Sequence, residues 1–270
     1  MAAPDTTSHP VKRLRQETVR LEGAITACLA EATPKAVHEL RSSIRRIEAQ
    51  CDLLGQMRGL REFRQGRGRV EERLKKMRRL AGEVRDIDVQ MKLIEKNAPP
   101  ELAKDADAVV QRLKARRKSE AKLLVDALEK SQVKVGRGVN RLLKSVKTKD
   151  EIALTATELV AMVGRWFGRH RGSARTNPQL HRARKAAKLA RYMAEGAPAS
   201  GRGKRVAKDY EKMQSAGGRW HDWVVLVETT AAELGKKHPL VGEFKRRRDA
   251  ELRVYRKRLG WLTGTGRRRG

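Results

Sequence analysis

Val37-His38-Glu39-Leu40-Arg41-Ser42-Ser43-Ile44-Arg45-Arg46-Ile47 carries two helical stripes at once, and together they decide the fold. At 100° per residue, Val37, Leu40, Ile44, Ile47, Cys51 and Leu54 fall on one tight apolar line, as in a helix with one face in a core. His38, Arg41 and Arg45 form a second line about 120° away, while Glu39 and Ser42 point elsewhere. The cations are therefore predicted on the flank of a packed helix, where it looks into a groove between neighbours.

The same chemistry recurs. Leu180-His181-Arg182-Ala183-Arg184…Lys188 repeats Val37-His38-Glu39-Leu40-Arg41…Arg45 at an offset of 143 residues, His38 to His181. Met213…Gly218-Arg219-Trp220-His221-Asp222…Val225 repeats Met77…Gly82-Glu83-Val84-Arg85-Asp86…Val89 at 136, Met77 to Met213. Two motif pairs in one order at nearly one offset indicate an internal duplication. In the second copy Ala183, Ala187, Ala190 and Ala194 make a small-residue stripe, and His181, Arg184, Lys188 and Arg191 lie about 110° from it. One copy alone would read as ordinary solvated cations. The repetition of His-x-x-Arg-x-x-x-(Arg/Lys) at the same angle from the core stripe favours a binding surface. Each histidine shares its face with fixed cations, which disfavour its protonation and leave a neutral ring able to donate one N–H to an anion.

The helix after the first motif has its core face at Val70, Leu74, Met77, Ala81 and Val84, with Arg78 and Arg85 on its flank. Asp86, and Asp222 beside His221, are read as carboxylates that orient a neighbouring cation. Gly82 and Gly218 interrupt helical patterns at about 1 kcal/mol each relative to alanine, which close approach of a helix or ligand, or a kink, would explain.

Strand signals are nearly absent, and helices are expected at 11–31, 35–56, 68–96, 101–129, 137–147, 152–170, 178–195, 203–234 and 239–262. Their punctuation is Thr33-Pro34, Gly66 and Gly68, Pro99-Pro100, Gly136 and Gly138, Asn177-Pro178, Ala197-Pro198, Gly201 and Gly203, and His238-Pro239. Residues 131–150 fall between the repeated units and make the natural seam. The expected organisation is a flexible 1–10, helical halves at 11–135 and 136–262 with about four helices each, and a basic tail at 263–270.

Composition narrows the partners. The 63 Lys and Arg against 32 Asp and Glu give a net charge of +31, far more than solubility requires. A polyanion is the implied partner. The N-terminus MAAPDTTSHPVKRLRQ has no apolar run suited to a signal peptide, and no uncharged stretch is long enough to span a membrane, so a cytoplasmic location is expected. Cys28 and Cys51 have no metal-ligand spacing and read as buried thiols. No Gly-x-x-x-x-Gly-Lys-(Ser/Thr) loop occurs, and Asp86 and Asp88 at i, i+2 point apart on a helix. Catalysis, a cofactor and a metal are therefore not expected. Trp166, Trp220, Trp223 and Trp261 are few for a base-stacking surface, so nucleic acid is expected only as a non-specific partner and as the alternative reading.

The stretches His38-Glu39-Leu40-Arg41-Ser42-Ser43-Ile44-Arg45-Arg46, Gly82-Glu83-Val84-Arg85-Asp86-Ile87-Asp88-Val89, and His181-Arg182-Ala183-Arg184-Lys185-Ala186-Ala187-Lys188 with Arg191-Tyr192 and Glu195 resemble the CHAD family, the conserved-histidine α-helical domain. The resemblance covers about residues 10 to 260. It implies an all-α fold of two pseudo-symmetric antiparallel four-helix bundles around a basic central groove. It also implies binding of inorganic polyphosphate and association with polyphosphate granules. Carried onto this chain, the anion-lining positions are His38, Arg41, Arg45, Arg85, His181, Arg184, Lys188 and Arg191. The duplicated flank adds Arg78 beside Arg85, and His221 where the first copy has Arg85. Some members are fused to a triphosphate tunnel enzyme, whose Glu-x-Glu-x-Lys signature this chain lacks, so catalysis does not transfer. Arg69, Arg73, Lys76, Arg112, Arg116, Arg165 and Arg169 are cations that could extend the track.

Overall fold

The computed structural model describes residues 7–146, 152–196 and 201–262. It is all-α. The helices are α1 (Pro10–Ala30), α2 (Pro34–Gly55), α3 (Arg61–Asn97), α4 (Ala103–Lys144), α5 (Ala156–His170), α6 (Asn177–Ala194), α7 (Gly201–Leu234) and α8 (Pro239–Leu262), with a 3₁₀ turn at Pro100–Leu102 before α4. The expected basic tail, 263–270, lies outside the described residues. Of the expected flexible 1–10, residues 1–6 lie outside the described residues, while Ser8 is buried and pairs with Leu154, the Ser8 N–H donating to the Leu154 carbonyl at 2.7 Å and the Ser8 carbonyl accepting from the Leu154 N–H at 2.9 Å. The start of α1 is thereby pinned to the segment that enters α5.

Each element begins where local chemistry allows it. Thr33 caps α2, its side chain accepting from the Ala36 N–H at 3.1 Å, and Pro34 fills the first turn where no donor is missed. Thr155 and Glu158 form a reciprocal capping box on α5. Gly235, with φ of 89°, ends α7 in the left-handed region before Pro239 opens α8.

The apolar stripe of α2 is buried as its period requires, with Val37, Leu40, Ile44, Ile47, Cys51 and Leu54 all at 0% exposure. It joins α1, α3 and the C-terminal part of α4 in a first core with Leu14, Leu74, Met77, Leu128 and Val139. α5 to α8 share a second core around the alanine stripe of α6, with Trp166, Phe167, Trp220 and Tyr255 as its large members. Ala49 and Leu53 of α2 enter this second core, so α2 against α6 is where the halves meet. Cys28 and Cys51 are free and buried, and burial pushes the Cys28 thiol up to about 11.

Two expectations are corrected by packing. The helices expected at 101–129 and 137–147 are one, α4, so the boundary at 135/136 falls inside a helix; the break follows Lys144, within the seam expected at 131–150. Gly138 is tolerated because α4 presses on α3 there: a Cβ would sit 3.3 Å from Val70 Cγ2. The helix expected to begin at 68 begins at Arg61 instead and runs through Gly66 and Gly68. Phe63, fully buried in the first core, holds those added turns. Arg67 in the same turns donates to the Cys51 carbonyl at 2.8 Å and to Asp52 at 3.2 Å, tying the end of α2.

A third core was not anticipated. The distal ends of the α3–α4 and α7–α8 hairpins extend past the two bundles and pack on one another through Ile87, Ile94, Val109 and Leu113 on one side and Trp223, Leu226, Val241 and Phe244 on the other. Arg247 adds a bond across this junction, donating to Asn97 Oδ1 at 2.8 Å. The halves are thus fastened at α2–α6 and again at the hairpin tips. Phe244→Ala should cost about 3–5 kcal/mol and lower the thermal midpoint by roughly 10 °C in a single transition. Thermal circular dichroism checks this, and separate melting of an α7–α8 signal would show that the tips do not couple the halves.

Candidate functional site

Between the two fastenings the four helices that carry the repeated motifs stand apart and leave a cavity of 240 Å³. α2 supplies His38, Arg41, Ser42 and Arg45; α3 supplies Arg85, Asp86 and Val89; α6 supplies Arg184, Lys185 and Lys188; α7 supplies Gln214, Gly218, His221 and Asp222. The two pairs of walls are copies of one another, Ser42 matching Lys185 and Gly82-Arg85-Asp86 matching Gly218-His221-Asp222. Six cations face two carboxylates. Among the described residues no tryptophan, tyrosine or phenylalanine lines the cavity.

The carboxylates do not neutralise the site. Arg41 donates to Asp86 Oδ1 at 3.1 Å and, more weakly, to the Gly82 carbonyl at 3.4 Å, so Asp86 orients Arg41 as its place beside Arg85 suggested. A Cβ at Gly82 would lie 4.0 Å from the Arg41 guanidinium, an ordinary contact, so Gly82 keeps its backbone open to Arg41 more than it relieves a clash. The close approach in the second copy is one residue earlier than expected: a Cβ on Gly217 would meet the Tyr255 ring at 2.9 Å and Arg184 Cγ at 3.1 Å. Tyr255 is fixed in turn by donating to the Leu180 carbonyl at 3.0 Å. This stack holds the stem of Arg184 against α7 and α8.

Four cavity cations, Arg85, Arg184, Lys185 and Lys188, reach no carboxylate within 4.0 Å among the described residues. The Nε of Arg184 is buried with no hydrogen-bond partner. Burial, and then the crowding of Arg41, Arg45 and Arg184, brings Lys188 down to about 7. Burial likewise brings Arg184 down to about 10, with Asp222 and Asp86 acting against it. His221 falls to about 3 and His181 to about 4, in each case through burial first and then Arg184, while His38 at the mouth is lowered by partial burial and Arg85. The histidines are neutral donors or acceptors at ordinary pH, as the cation-rich face implied. Asp222 moves the other way, raised by burial to about 6 although Arg184 opposes the shift.

Seven of the ten expected anion-lining residues meet in this cavity: His38, Arg41, Arg45, Arg85, Arg184, Lys188 and His221. His181 stands just behind, its ring centroid 4.6 Å from that of His221. Arg78 and Arg191 do not line it. Arg78 is held by Glu48, which also accepts from Arg45 at 3.1 Å. Arg191 is held by Glu195 at 2.8 Å, Gln214 at 2.9 Å and Glu211 at 3.2 Å. These two arginines occupy the next turn, where neighbouring helices bring polar partners that a single helix cannot reveal. Lys185 and Gln214 were missed. Lys185 follows His181 by four residues, and its counterpart Ser42 had been placed on another face; Gln214 is the counterpart of Arg78. Of the cations expected to extend the track, Arg112 pairs with Glu233 and Arg116 with Glu83, while Arg165 and Arg169 line a separate pocket at the end of α2.

A family model for the CHAD domain matches residues 12–231. No curated protein matches the sequence. The crystal structure of the CHAD domain from the plant Ricinus communis superposes with a TM-score of 0.64 at 16% identity, covering 98% of this chain and 92% of that one. PptA from Streptomyces chartreusis superposes with a TM-score of 0.62 at 14% identity, covering 94% of this chain and 99% of that one. At such identities the likeness shows the fold. It extends through α8, beyond the residues matched by the family model.

The depressed Lys188 has a thermodynamic consequence. Its folded value, about 7, lies below the ordinary lysine value of 10.5, so the unfolded chain binds more protons between them and stability rises with pH across that window. Lys188→Met removes the cost of charging this amine. The variant should melt above the wild type at about pH 6.5, each kcal/mol being worth roughly 2–4 °C, and the gap should close by about pH 10. Equal midpoints for both proteins at the lower pH would show that Lys188 is not strained in the fold.

Proposed function

This chain belongs to the CHAD domain family, and we propose that its central cavity binds inorganic polyphosphate without catalysing a reaction on it. The observation that carries the reading is the set of four unpaired cations, one with a buried unpartnered donor, facing one another across a built cavity. Folding has brought like charges together, four of them without a carboxylate within 4.0 Å among the described residues. That arrangement is costly in the free protein and is relieved by an anion dense enough to engage several of them at once.

The lining favours a phosphate chain over a nucleic acid. Guanidinium forks of Arg41, Arg45, Arg85 and Arg184 match phosphate oxygens in bidentate geometry, and Lys185 and Lys188 add point charges. Single-stranded nucleic acids draw affinity from stacking on aromatic side chains, which this lining lacks, and a duplex is far too wide for a 240 Å³ cavity. Trp166, Trp220 and Trp223, read from the sequence as packing residues, are buried in the second and third cores. A polyanion with no bases is the ligand that uses what the cavity offers. Association with polyphosphate granules in the cytoplasm follows as the cellular setting of this reading, and no described helix is long and apolar enough to cross a membrane.

Titration of labelled long-chain polyphosphate at physiological salt, with unlabelled polyphosphate, DNA or RNA as competitor, tests the proposal. Polyphosphate should displace the label far better than nucleic acid at matched charge. Arg41→Gln with Arg184→Met, the methionine retaining packing against Gly217 and Tyr255, should weaken binding about 100-fold or more and flatten its dependence on salt. Equal displacement by nucleic acid would make the protein a general polyanion trap. Wild-type affinity in the folded double variant would move the site elsewhere.

A further inference from the structure

A second group of arginines gathers at the far end of α2. Arg58, Arg165 and Arg169 line a space of 620 Å³ between that end and α5, together with Gln56, Met57 and Met162. Arg165 and Arg169 stand at i, i+4 on one face of α5, and Arg58 reaches the same space from the turn after α2. This space shares no lining residue with the central cavity. Gly55, also in its wall, follows Arg45 by 10 residues, about 15 Å along the helix. Among the described residues no aspartate or glutamate lines it.

The end of a helix accounts for some of the cations nearby, but not for these. The last carbonyls of α2 need donors, and they have them. Arg67 donates to the Cys51 carbonyl at 2.8 Å, Arg64 to the Met57 carbonyl at 2.7 Å and Gln56 Nε2 to the Asp52 carbonyl at 3.3 Å. Gly55 makes room for the first of these, since a Cβ there would overlap the Arg67 guanidinium. Arg169 donates to the neutral Gln56 Oε1 at 3.0 Å. Arg58, Arg165 and Arg169 are exposed and reach no carboxylate within 4.0 Å among the described residues. One such arginine is ordinary solvated surface. Three around one concavity, over two half-buried methionines, make a receptor for an anion with an apolar part. Met57 packs on the first and second cores and Met162 on the second, so the floor is held in place.

From this juxtaposition we infer a second ligand site, between the end of α2 and α5, that takes a nucleoside polyphosphate: its phosphates on the three guanidiniums and its ring on Met57 and Met162. The guanidinium forks match phosphate oxygens, and their planes also stack on rings. Thioethers make favourable contacts with aromatic rings and adapt to their shape. A bare phosphate chain leaves the methionines uncovered, and an uncharged ring compound leaves the arginines unused. The space lies within the range of about 300–1,000 Å³ usual for small-molecule sites. Both ends of the Gln56 amide are already engaged, Oε1 by Arg169 and Nε2 by the Asp52 carbonyl, so Gln56 does not read the edge of a base. Phosphate number, and not base identity, therefore sets the affinity. The inference is independent of what the central cavity binds.

Equilibrium dialysis of radiolabelled ATP against the full chain at physiological salt tests this. The central cavity also attracts triphosphates, so the measurement is made in the Arg41→Gln, Arg184→Met variant, with circular dichroism to verify the fold of every protein used. That variant should still retain one ATP per chain. GTP should compete as well as ATP, while AMP and inorganic tripolyphosphate should each compete roughly tenfold more weakly. Adding Arg58→Gln with Arg165→Gln should weaken ATP binding about tenfold or more. Met162→Gln should weaken ATP and leave tripolyphosphate unchanged. Loss of ATP from the central-cavity variant, or undiminished ATP binding in the folded Arg58/Arg165 variant, overturns the second site. Tripolyphosphate bound as tightly as ATP overturns the assignment to a ring-bearing ligand. Arg58→Gln with Arg165→Gln in the otherwise wild-type chain should leave long-chain polyphosphate binding as it was; a loss there would make these arginines part of the polyphosphate surface and overturn a separate site.

Discussion

Mutual repulsion among Arg41, Arg45, Arg184, Lys185 and Lys188 is the constraint around which the fold is arranged. At an effective dielectric of about 20, two unit charges 4 Å apart interact by about 4 kcal/mol, so like charges gathered around one cavity oppose folding on a scale that matters to a domain of marginal stability. The apolar cores must therefore oppose the site directly. They do so by bracketing it: Ala49 and Leu53 lock α2 to the second core on one side, and the hairpin tips close on Trp223 and Phe244 on the other. The cavity stays open because the helices are fixed at both ends of it. The protein also sheds part of the load chemically, through the lowered Lys188 and the neutral histidines, which keep donors in place without adding full charges.

The internal repeat explains why the cavity has the walls it has, and also where the two halves diverge. Next to the cavity the copies agree in kind: His38 with His181, Arg41 with Arg184, Arg45 with Lys188, Asp86 with Asp222. One turn further out they exchange charge. Glu48 with Arg78 in the first half becomes Arg191 with Gln214 in the second, so the polar bridge between the paired helices is kept while its sign changes. Tyr192 adds to this on the second side, with the Arg46 guanidinium 4.9 Å and the Arg191 guanidinium 5.6 Å from its ring centroid. The copies thus agree at the centre and diverge at the rim.

Much of this was legible before any coordinates. Val37 to Leu54 announces its buried face because an amphipathic period is a local property, and the angle from that face to Arg41 and Arg45 follows from helix geometry alone. What remained hidden depends on partners distant in sequence. Gly66, Gly68, Gly136 and Gly138 read as helix ends, yet α3 and α4 run through them because Phe63 anchors one end and Val70 packs against Gly138 at the other. Nothing local to Ile94, Val109 and Leu226 shows that they build a third core between hairpins. Arg78 and Arg191 share a stripe with true cavity residues, and only the arrival of Glu48, Gln214 and Glu211 decides that their charges are already claimed.

The same dependence bears on how a strongly basic chain could be selective. A net charge of +31 attracts any polyanion at long range, and that attraction is screened over a Debye length of about 8 Å at physiological salt. Discrimination has to come from charges that salt reaches least, the buried ones. Arg184 and Lys188 come nearest to this, half-buried where the Tyr255–Gly217 stack and the α2–α6 contact withdraw them from solvent, and burial lowers both below their ordinary values. A ligand that restores full charge to Lys188 takes up a proton as it binds, so its binding is linked to pH at an amine lowered to about 7. On the proposed function, steering and discrimination fall to different cations, the exposed ones setting how often a polyanion arrives and the less exposed ones which polyanion stays.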